Sequence, residues 1–276
     1  MKLTDARKSL SGTRYWRSGR GAPVVLIHGV GLDATLWQAQ VEVLSKHYDV
    51  IAYDMLGHGE SALPTEDATL DDYADQLLAL LDELDLPSAT VVGFSMGGLV
   101  ARAFALRHPG RINGMVVLSS VFDRNERQRA GALRRLDETR KQGPTANVDD
   151  ALERWFSPSF RDAHPECIAA VRDRVTSNHP EGYYRSYALF VTQDSFGLDK
   201  LVSIRVPVLI ATGELDPGST PKMASALAEH LPNASVHILR GQRHMAPVEA
   251  ASEVNTLLIH FLDNVHNHSL QEETLR

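Results

Sequence analysis

One serine is flanked on both sides by glycines in the stretch VVGFSMGGLV, which runs from Val91 to Val100. The β-branched pair before it predicts a buried strand, and the small and helix-forming residues after it predict a helix. Gly93 and Gly97 lie two residues before and two residues after Ser95. A sharp turn brings these two positions together, so that only small side chains fit there. The pattern G-x-S-x-G between a strand and a helix is typical of a turn that exposes a nucleophilic serine.

The alternation of short apolar strands and amphipathic helices extends on both sides of this turn. Six strands are predicted, at residues 24–28, 48–54, 89–94, 112–119, 206–212 and 235–239. Helices are predicted at residues 34–46, 70–84, 97–108, 220–230 and 249–262. Apolar strands that alternate with helices indicate a mostly parallel sheet covered on both faces. The predicted fold class is therefore α/β.

One region departs from this alternation. Residues 121–200 contain no buried-strand run and are predicted to form several helices between two strands of the sheet. We interpret residues 121–200 as an inserted helical cap subdomain, and segments 1–120 and 201–276 as a core domain. The polar residues from 266 onward are predicted to form a frayed tail.

The composition excludes several classes of protein. The chain has 276 residues and a net charge of −7, which argues against a nucleic-acid binder. No apolar run approaches the roughly 18 residues of a transmembrane helix, and the N-terminal segment lacks the apolar run of a signal peptide. The single cysteine, Cys167, excludes a disulfide within the chain. We expect a cytoplasmic protein that binds neither nucleic acid nor membrane, and a homodimer is one assembly that the sequence leaves open.

A serine hydroxyl is a poor nucleophile without a general base, and the histidines of the chain are candidates for that base. His244 follows the predicted strand at 235–239, so it should lie at the same edge of the sheet as Ser95. His28 and His58 lie in glycine turns and are predicted to bond backbone groups instead. The sequence therefore predicts His244 as the base.

A third group is needed to orient the histidine. Asp216 follows the predicted strand at 206–212 and is the predicted partner, with Glu214 as its rival. The order Ser95, Asp216, His244 along the chain is the order expected for this motif. The alternative interpretation of Asp216 is a turn-capping aspartate.

An oxyanion hole requires two N–H donors. The residue after the nucleophile, Met96, supplies one of them in this motif. The second should come from the loop after the first buried strand, where Val30 is the predicted donor and Gly31 the alternative.

The segments HGVG, DMLGHGES, GFSMGG, GELDP and GQRHMAP occur in this order, and with them the chain resembles the α/β-hydrolase superfamily over residues 20–263. The resemblance implies an eight-stranded, mostly parallel sheet with a helical cap over the active site. Within the superfamily the chain is most similar to 3-oxoadipate enol-lactone hydrolases. That similarity rests on YDVIAYDMLGHGES and GFSMGGLV in the core and on RWFSPSF and HPEGYYRSYAL in the cap. The HGVG segment departs from many of these enzymes.

The resemblance implies a hydrolase of a small carboxylic ester or enol-lactone that acts in the catabolism of aromatic compounds without a metal or an organic cofactor. Cleavage of a carbon–carbon bond, or of an N-acyl or N-formyl amide, in another ring-cleavage intermediate is the alternative. A non-catalytic small-molecule receptor is a further one. A carboxylate-bearing substrate needs a cation in the pocket. Arg154 is predicted to bind the substrate. Trp155 and Phe156 beside it are predicted as further substrate contacts, and the alternative is that they pack the cap onto the core.

Overall fold

The computed structural model describes the backbone of residues 5–274, in which eight strands form one sheet. The strands are β1 (Arg7–Lys8), β2 (Arg14–Ser18), β3 (Pro23–Ile27), β4 (Asp49–Tyr53), β5 (Ala89–Phe94), β6 (Ile112–Leu118), β7 (Val208–Gly213) and β8 (Ala234–Leu239). Their order in the sheet is 1-2-4-3-5-6-7-8, and only the pairs β1–β2 and β2–β4 are antiparallel. The predicted α/β fold with a mostly parallel, eight-stranded sheet is confirmed.

Eleven α-helices accompany the sheet within the described residues. They are α1 (Gln38–Leu44), α2 (Leu70–Glu83), α3 (Met96–Arg107), α4 (Glu126–Gln142), α5 (Val148–Trp155), α6 (Pro158–Ala163), α7 (Pro165–Thr176), α8 (Pro180–Thr192), α9 (Pro221–Glu229), α10 (Ala246–Glu249) and α11 (Ala251–Thr274). A short 3-10 helix at Ala34–Trp37 precedes α1, in the segment predicted to be one helix. Every residue of β4 and β5 is buried, as expected for inner strands covered by helices on both faces.

The six predicted strands are all present, as β3 to β8. Strands β1 and β2 were not among the strands predicted from apolar runs, because both contain arginine and neither is a continuous apolar run. The prediction of a frayed tail was wrong for the described residues from 266 to 274, because α11 continues to Thr274. Residues 275 and 276 lie outside the described part of the chain.

Helices α4 to α8, which we call the cap, all lie between β6 and β7. Side chains of α5, α7 and α8 line one cavity together with residues that follow β3, β5, β7 and β8. The cap therefore lies over the edge of the sheet where the parallel strands end. The division into a core of 1–120 and 201–276 and a cap subdomain of 121–200 stays a prediction.

Candidate active site

Ser95 occupies the turn between β5 and α3, with φ 55° and ψ −115°. A positive φ is uncommon for a residue other than glycine and stores backbone strain. A Cβ atom at Gly93 would lie 2.1 Å from the carbonyl oxygen of Gly97, and one at Gly97 would lie 2.4 Å from the carbonyl oxygen of Ile27. The close approach predicted for these two glycines is confirmed. The tight turn presents the Ser95 side chain to the cavity under the cap.

We expect Gly97→Ala to lower the free energy of unfolding by about 3 kcal/mol, because the new methyl group meets backbone atoms that cannot rotate away. The matched control is Gly110→Ala, since a Cβ atom at Gly110 would have no neighbour within 4 Å. Urea unfolding followed by circular dichroism measures both variants. An unfolding midpoint for Gly97→Ala equal to that of Gly110→Ala would contradict the packing argument.

His244 and Asp216 form a buried pair at the carboxyl edge of the sheet. His244 Nδ1 lies 2.7 Å from Asp216 Oδ2, and both residues are almost inaccessible to solvent. The other carboxylate oxygen of Asp216 accepts the N–H groups of Gly218 at 2.8 Å and Ser219 at 3.0 Å. Because an ionised carboxylate accepts all three bonds, Nδ1 of His244 carries the proton and Nε2 is left as the acceptor.

Glu214, the rival of Asp216, points away from the histidine. Its side chain is exposed, and its carboxylate accepts the N–H of Gly241 at 2.9 Å. The structure therefore brings Asp216, and not Glu214, to His244.

The imidazole of His244 is packed between two aromatic rings. The ring of Phe94 lies 5.0 Å from it, and the indole of Trp155 stacks on it at 6.0 Å with an interplanar angle of 28°. The backbone next to the histidine is also held by the cap, since Met245 N donates to the carbonyl oxygen of Trp155 at 3.0 Å. Helix α5 therefore contributes to fixing the orientation of His244.

The two predicted oxyanion donors are the residue that follows Ser95 and a residue of the loop after β3. Met96 is the first residue of α3, so its N–H has no acceptor within the helix. Val30 lines the same cavity as Ser95. The N–H of Gly31, the alternative donor, is already bonded to His58 Nε2 at 2.9 Å. Within residues 5–274 no acceptor is found for the N–H of Val30, so this N–H stays available to a substrate.

His28 and His58 bond to backbone groups, as predicted. His28 Nε2 accepts the N–H of Met55 at 3.0 Å, and its Nδ1 donates to the carbonyl oxygen of Gly29 at 2.7 Å. Burial lowers the pKa of His28 to about 4 and that of His58 to about 3. Both rings are therefore neutral near pH 7 and act as fixed hydrogen-bonding groups.

The cavity over Ser95 has a volume of about 80 Å³. Arg154 and Trp155 line it, but Phe156 does not. The interpretation of Phe156 as a substrate contact was wrong, because helix α5 ends at Trp155 and the next residue is extended. Phe156 is fully buried instead and stacks on Phe160 at 5.3 Å.

Two arginines, Arg124 and Arg154, line the cap side of the cavity among mostly apolar residues. Arg124 lines it but already faces Asp194, whose Oδ1 lies 3.7 Å from its guanidinium. Arg154 has no carboxylate within 4 Å among the described residues. Burial, and then the nearby charge of Arg135, lower the pKa of Arg154. A half-buried guanidinium without a carboxylate partner in the protein can bind the carboxylate of a substrate.

Other lining residues were given no role in the sequence analysis. Tyr183 and Tyr187 of α8 line the cavity with their rings 5.8 Å apart, and Asn147 lines it just before α5. The two tyrosines are four residues apart, so they share one face of their helix. That spacing was a signal in the sequence that could have identified them.

Within residues 5–274, no group of three or more His, Cys, Asp or Glu side chains is arranged to hold a metal ion. In the same part of the chain, none of the helices combines the length and apolar character needed to cross a membrane.

The match to a family model agrees with the fold and with this arrangement of residues. Residues 22–251 match the model described as the alpha/beta hydrolase fold. The chain belongs to this family of hydrolases.

Three similar proteins illustrate the chemistry found in the family. An (E)-2-((N-methylformamido)methylene)succinate hydrolase of Acinetobacter baylyi is 34% identical, over 90% of this chain and 93% of the relative. The 3-oxoadipate enol-lactonase 2 of the same organism is 30% identical, over 92% of each chain. The solved structure of a Thermogutta terrifontis esterase with malate bound is 30% identical, with a TM-score of 0.83, over 92% of this chain and 94% of that one. The predicted similarity to 3-oxoadipate enol-lactonases is confirmed.

Proposed function

We propose that this chain is a serine hydrolase that cleaves a small, carboxylate-bearing ester or enol-lactone with Ser95, His244 and Asp216, in the cytoplasmic breakdown of aromatic compounds. The observation that carries the proposal is the pairing of His244 Nδ1 with Asp216 Oδ2 at 2.7 Å, beside a strained serine in the same cavity. A nucleophile, a base and a group that orients the base are the parts that acyl transfer needs.

The reaction begins when Ser95 Oγ attacks the carbonyl carbon of the substrate and His244 Nε2 takes the hydroxyl proton. Asp216 stabilises the imidazolium that forms. The N–H groups of Met96 and Val30 receive the negative charge of the carbonyl oxygen. The bond to the leaving group then breaks, its oxygen takes the proton from His244, and an acyl-enzyme remains. Water activated by His244 attacks the acyl-enzyme and releases the acid.

The Ser95 hydroxyl makes no hydrogen bond within residues 5–274. Catalytic hydrogen bonds often form only when the substrate is bound, so this geometry is compatible with the proposed proton transfer. The strained turn fixes the backbone of Ser95, which lines the same cavity as His244.

The proposed substrate class follows from the size and charge of the cavity. A volume of about 80 Å³ favours a small acyl group. Arg154 lines the cavity without a carboxylate partner, and a substrate carboxylate would supply one. The esterase of similar structure that was solved with malate, itself a dicarboxylate, supports this choice.

A second candidate function is hydrolysis of an N-formyl amide. The relative that is 34% identical is named for an N-methylformamido derivative of succinate, which also carries carboxylates. The same attack by Ser95 on a formyl carbon would release an amine and then formate. Arg154 would pair with a carboxylate of either substrate.

The experiment that tests the proposal compares 3-oxoadipate enol-lactone, (E)-2-((N-methylformamido)methylene)succinate and p-nitrophenyl acetate. A kcat/KM for the lactone of about 10⁴ M⁻¹s⁻¹ or more, lost in Ser95→Ala, supports the enol-lactonase function. Serine-dependent formate release at such a rate, with slow lactone turnover, supports the amide function. The absence of serine-dependent hydrolysis of all three compounds overturns the proposal.

We expect Arg154→Met to raise the KM for the carboxylate-bearing substrate by about 100-fold, because a hydrogen-bonded charge pair is worth about 3 kcal/mol. The kcat/KM for p-nitrophenyl acetate, which lacks a carboxylate, should change by less than about twofold. The control is Arg134→Met, which removes an exposed arginine of α4 that does not line the cavity. Equal losses on the charged and the neutral substrate would contradict the role of Arg154.

A further inference from the structure

The loop at residues 29–33, which follows β3, is bonded to the cap as well as to the core. Asn178, which lies just beyond α7, donates from Nδ2 to the carbonyl oxygen of Gly31 at 2.8 Å. The guanidinium of Arg174, in the last turn of α7, lies 2.9 Å from the buried carboxylate of Asp33. The cap therefore holds this loop at two points.

Two peptide groups of the loop connect Asn178 to the proposed oxyanion hole. The peptide that carries the Gly31 carbonyl also carries the N–H of Leu32. That N–H donates to the carbonyl oxygen of Gly29 at 3.2 Å. The peptide that carries the Gly29 carbonyl also carries the N–H of Val30, the proposed donor to the substrate oxyanion. Asn178 and the two peptides thus form one continuous series of hydrogen bonds, which ends at the N–H of Val30.

Hydrogen bonds in such a series polarise one another, by about 10–30% per bond in condensed phases. A donor to Gly31 makes the N–H of Leu32 a stronger donor, and that bond in turn strengthens the N–H of Val30. The same bonds also fix the planes of both peptides, and with them the direction of the Val30 N–H.

The core side of the loop is fixed independently of the cap. His28 Nδ1 also donates to the Gly29 carbonyl oxygen, at 2.7 Å, and the N–H of Met55 fixes the tautomer that allows this. His58 accepts the N–H of Gly31. Asn178, a side chain of the cap, bonds this series at the Gly31 carbonyl. The cap can therefore affect the series at that carbonyl.

Asn178 is itself well placed for this task. Its Nδ2 lies 2.9 Å from the carbonyl oxygens of both Arg174 and Val175, which belong to the last turn of α7. The amide is therefore held by the end of the helix while it points to the loop. Movement of α7 would move the donor and change the bond to Gly31.

We propose that Asn178 is a positioning residue through which the cap orients and strengthens the Val30 N–H of the oxyanion hole. The proposal rests on the proposed function, because it assigns Val30 as an oxyanion donor. The charge on the substrate oxygen develops in the transition state, so the interaction acts on kcat and leaves substrate binding unchanged. Removal of a whole oxyanion donor lowers kcat by about 10²–10³-fold, and loss of its orientation should lower it by about tenfold.

The test compares Asn178→Leu with Arg185→Leu. Arg185 also reaches from the cap to a backbone carbonyl of the core, that of Pro64 at 2.6 Å, but outside this series. With p-nitrophenyl acetate we expect Asn178→Leu to lower kcat about tenfold with KM within about twofold, and Arg185→Leu to keep the wild-type kcat. An equal loss of kcat in both variants, or a loss that appears only in KM, overturns the proposal.

A second measurement separates this proposal from the function on which it rests. In the ¹H–¹⁵N spectrum of protein labelled with ¹⁵N-valine, the Val30 resonance is assigned by its disappearance in Val30→Ala. We expect the Val30 amide proton to move upfield in Asn178→Leu and to stay in place in Arg185→Leu. An unmoved Val30 resonance in Asn178→Leu overturns the proposal, whatever the activity. If Ser95→Ala keeps full activity, the proposed function fails, while the Val30 resonance still decides whether Asn178 acts on this peptide.

Loss of the bonds to Arg174 and Val175 could unfold the end of α7, so thermal unfolding is measured for each variant. If Asn178→Leu does not fold, Asn178→Asp replaces it, since an ionised carboxylate keeps the shape of the amide and cannot donate. The same upfield movement of the Val30 resonance is expected, and an unmoved resonance overturns the proposal equally.

Discussion

Ser95→Ala should lower kcat/KM for p-nitrophenyl acetate by about 10⁴–10⁶-fold, because no other group at the turn can form the acyl-enzyme. The residual rate would come from the oxyanion donors and from binding alone. The methyl group of alanine fits the space of the serine side chain, and φ at this position stays positive, so the melting temperature should change by only a few degrees. Steady-state kinetics and thermal unfolding on the same samples measure both effects.

The matched control is Ser120→Ala. Ser120 is also a buried serine just after a strand, and its hydroxyl has no hydrogen-bond partner among the described residues. We expect its activity to stay within about twofold of the wild type. A Ser95→Ala variant that kept more than about 1% of the wild-type kcat/KM would contradict the assignment of Ser95 as the nucleophile.

Asp216→Asn should lower kcat by about 10⁴-fold at pH 7, and the hydrogen bonds around Asp216 give the reason. The N–H groups of Gly218 and Ser219 both need an oxygen acceptor on one side of the side chain. The asparagine amide must therefore turn its NH₂ group toward His244 Nδ1. That orientation favours the tautomer with the proton on Nε2, which cannot accept the proton of Ser95.

Glu214→Gln is the control for this variant. Glu214 is two residues from Asp216 in sequence, but it bonds the N–H of Gly241 at the surface, and a glutamine oxygen can still accept that bond. Its kcat should stay within about twofold of the wild type. If Glu214→Gln lost activity and Asp216→Asn kept it, the orienting carboxylate would have been assigned to the wrong residue. A ¹⁵N spectrum of the histidine ring in Asp216→Asn would read the tautomer directly.

The turn at Ser95 could be predicted from sequence because its cause is local. Gly93 and Gly97 are required by contacts with backbone atoms a few residues away or on the adjacent strand, and those contacts follow from the turn itself. The pairing of Asp216 with His244 could be predicted for a related reason. Parallel strands end at one edge of the sheet, so a residue just after a strand has its position fixed by that strand.

Strand β2 could not be predicted in this way, because its partners are distant in sequence. Arg17 lies in it as a half-buried cation because Asp49 of β4 accepts a bidentate hydrogen bond, with the shorter contact at 2.6 Å. Arg14 bonds Glu60 and lies 4.8 Å over the ring of Trp16. A segment so rich in arginine lacks the apolar run that predicts a strand, although Trp16 is buried.

The roles of the cap residues could not be predicted from sequence for the same reason, since they depend on tertiary contacts. The sequence offers many arginines there, and only the adjoining aromatic residues single out Arg154. Its environment depends on tertiary packing, which places Arg154 beside the cavity and Arg172 beside Asp149. Phe156 follows Trp155 directly, but the end of α5 turns the two aromatic side chains to different surroundings.

The point at which the cap joins the sheet has a consequence for how such enzymes diversify. The chain departs after β6 and returns in β7, and these strands are direct neighbours, with the N–H of Ser119 bonded to the carbonyl oxygen of Ala211 at 2.7 Å. A helical segment of another length could be transplanted between them without a change in strand pairing. If Asn178 acts as we propose, however, exchange of the cap changes two things: the lining of the pocket and the polarisation of the Val30 N–H. Substrate range and kcat would then change together. A recombined hydrolase without a hydrogen-bond donor at the position of Asn178 should keep its KM and have a low kcat.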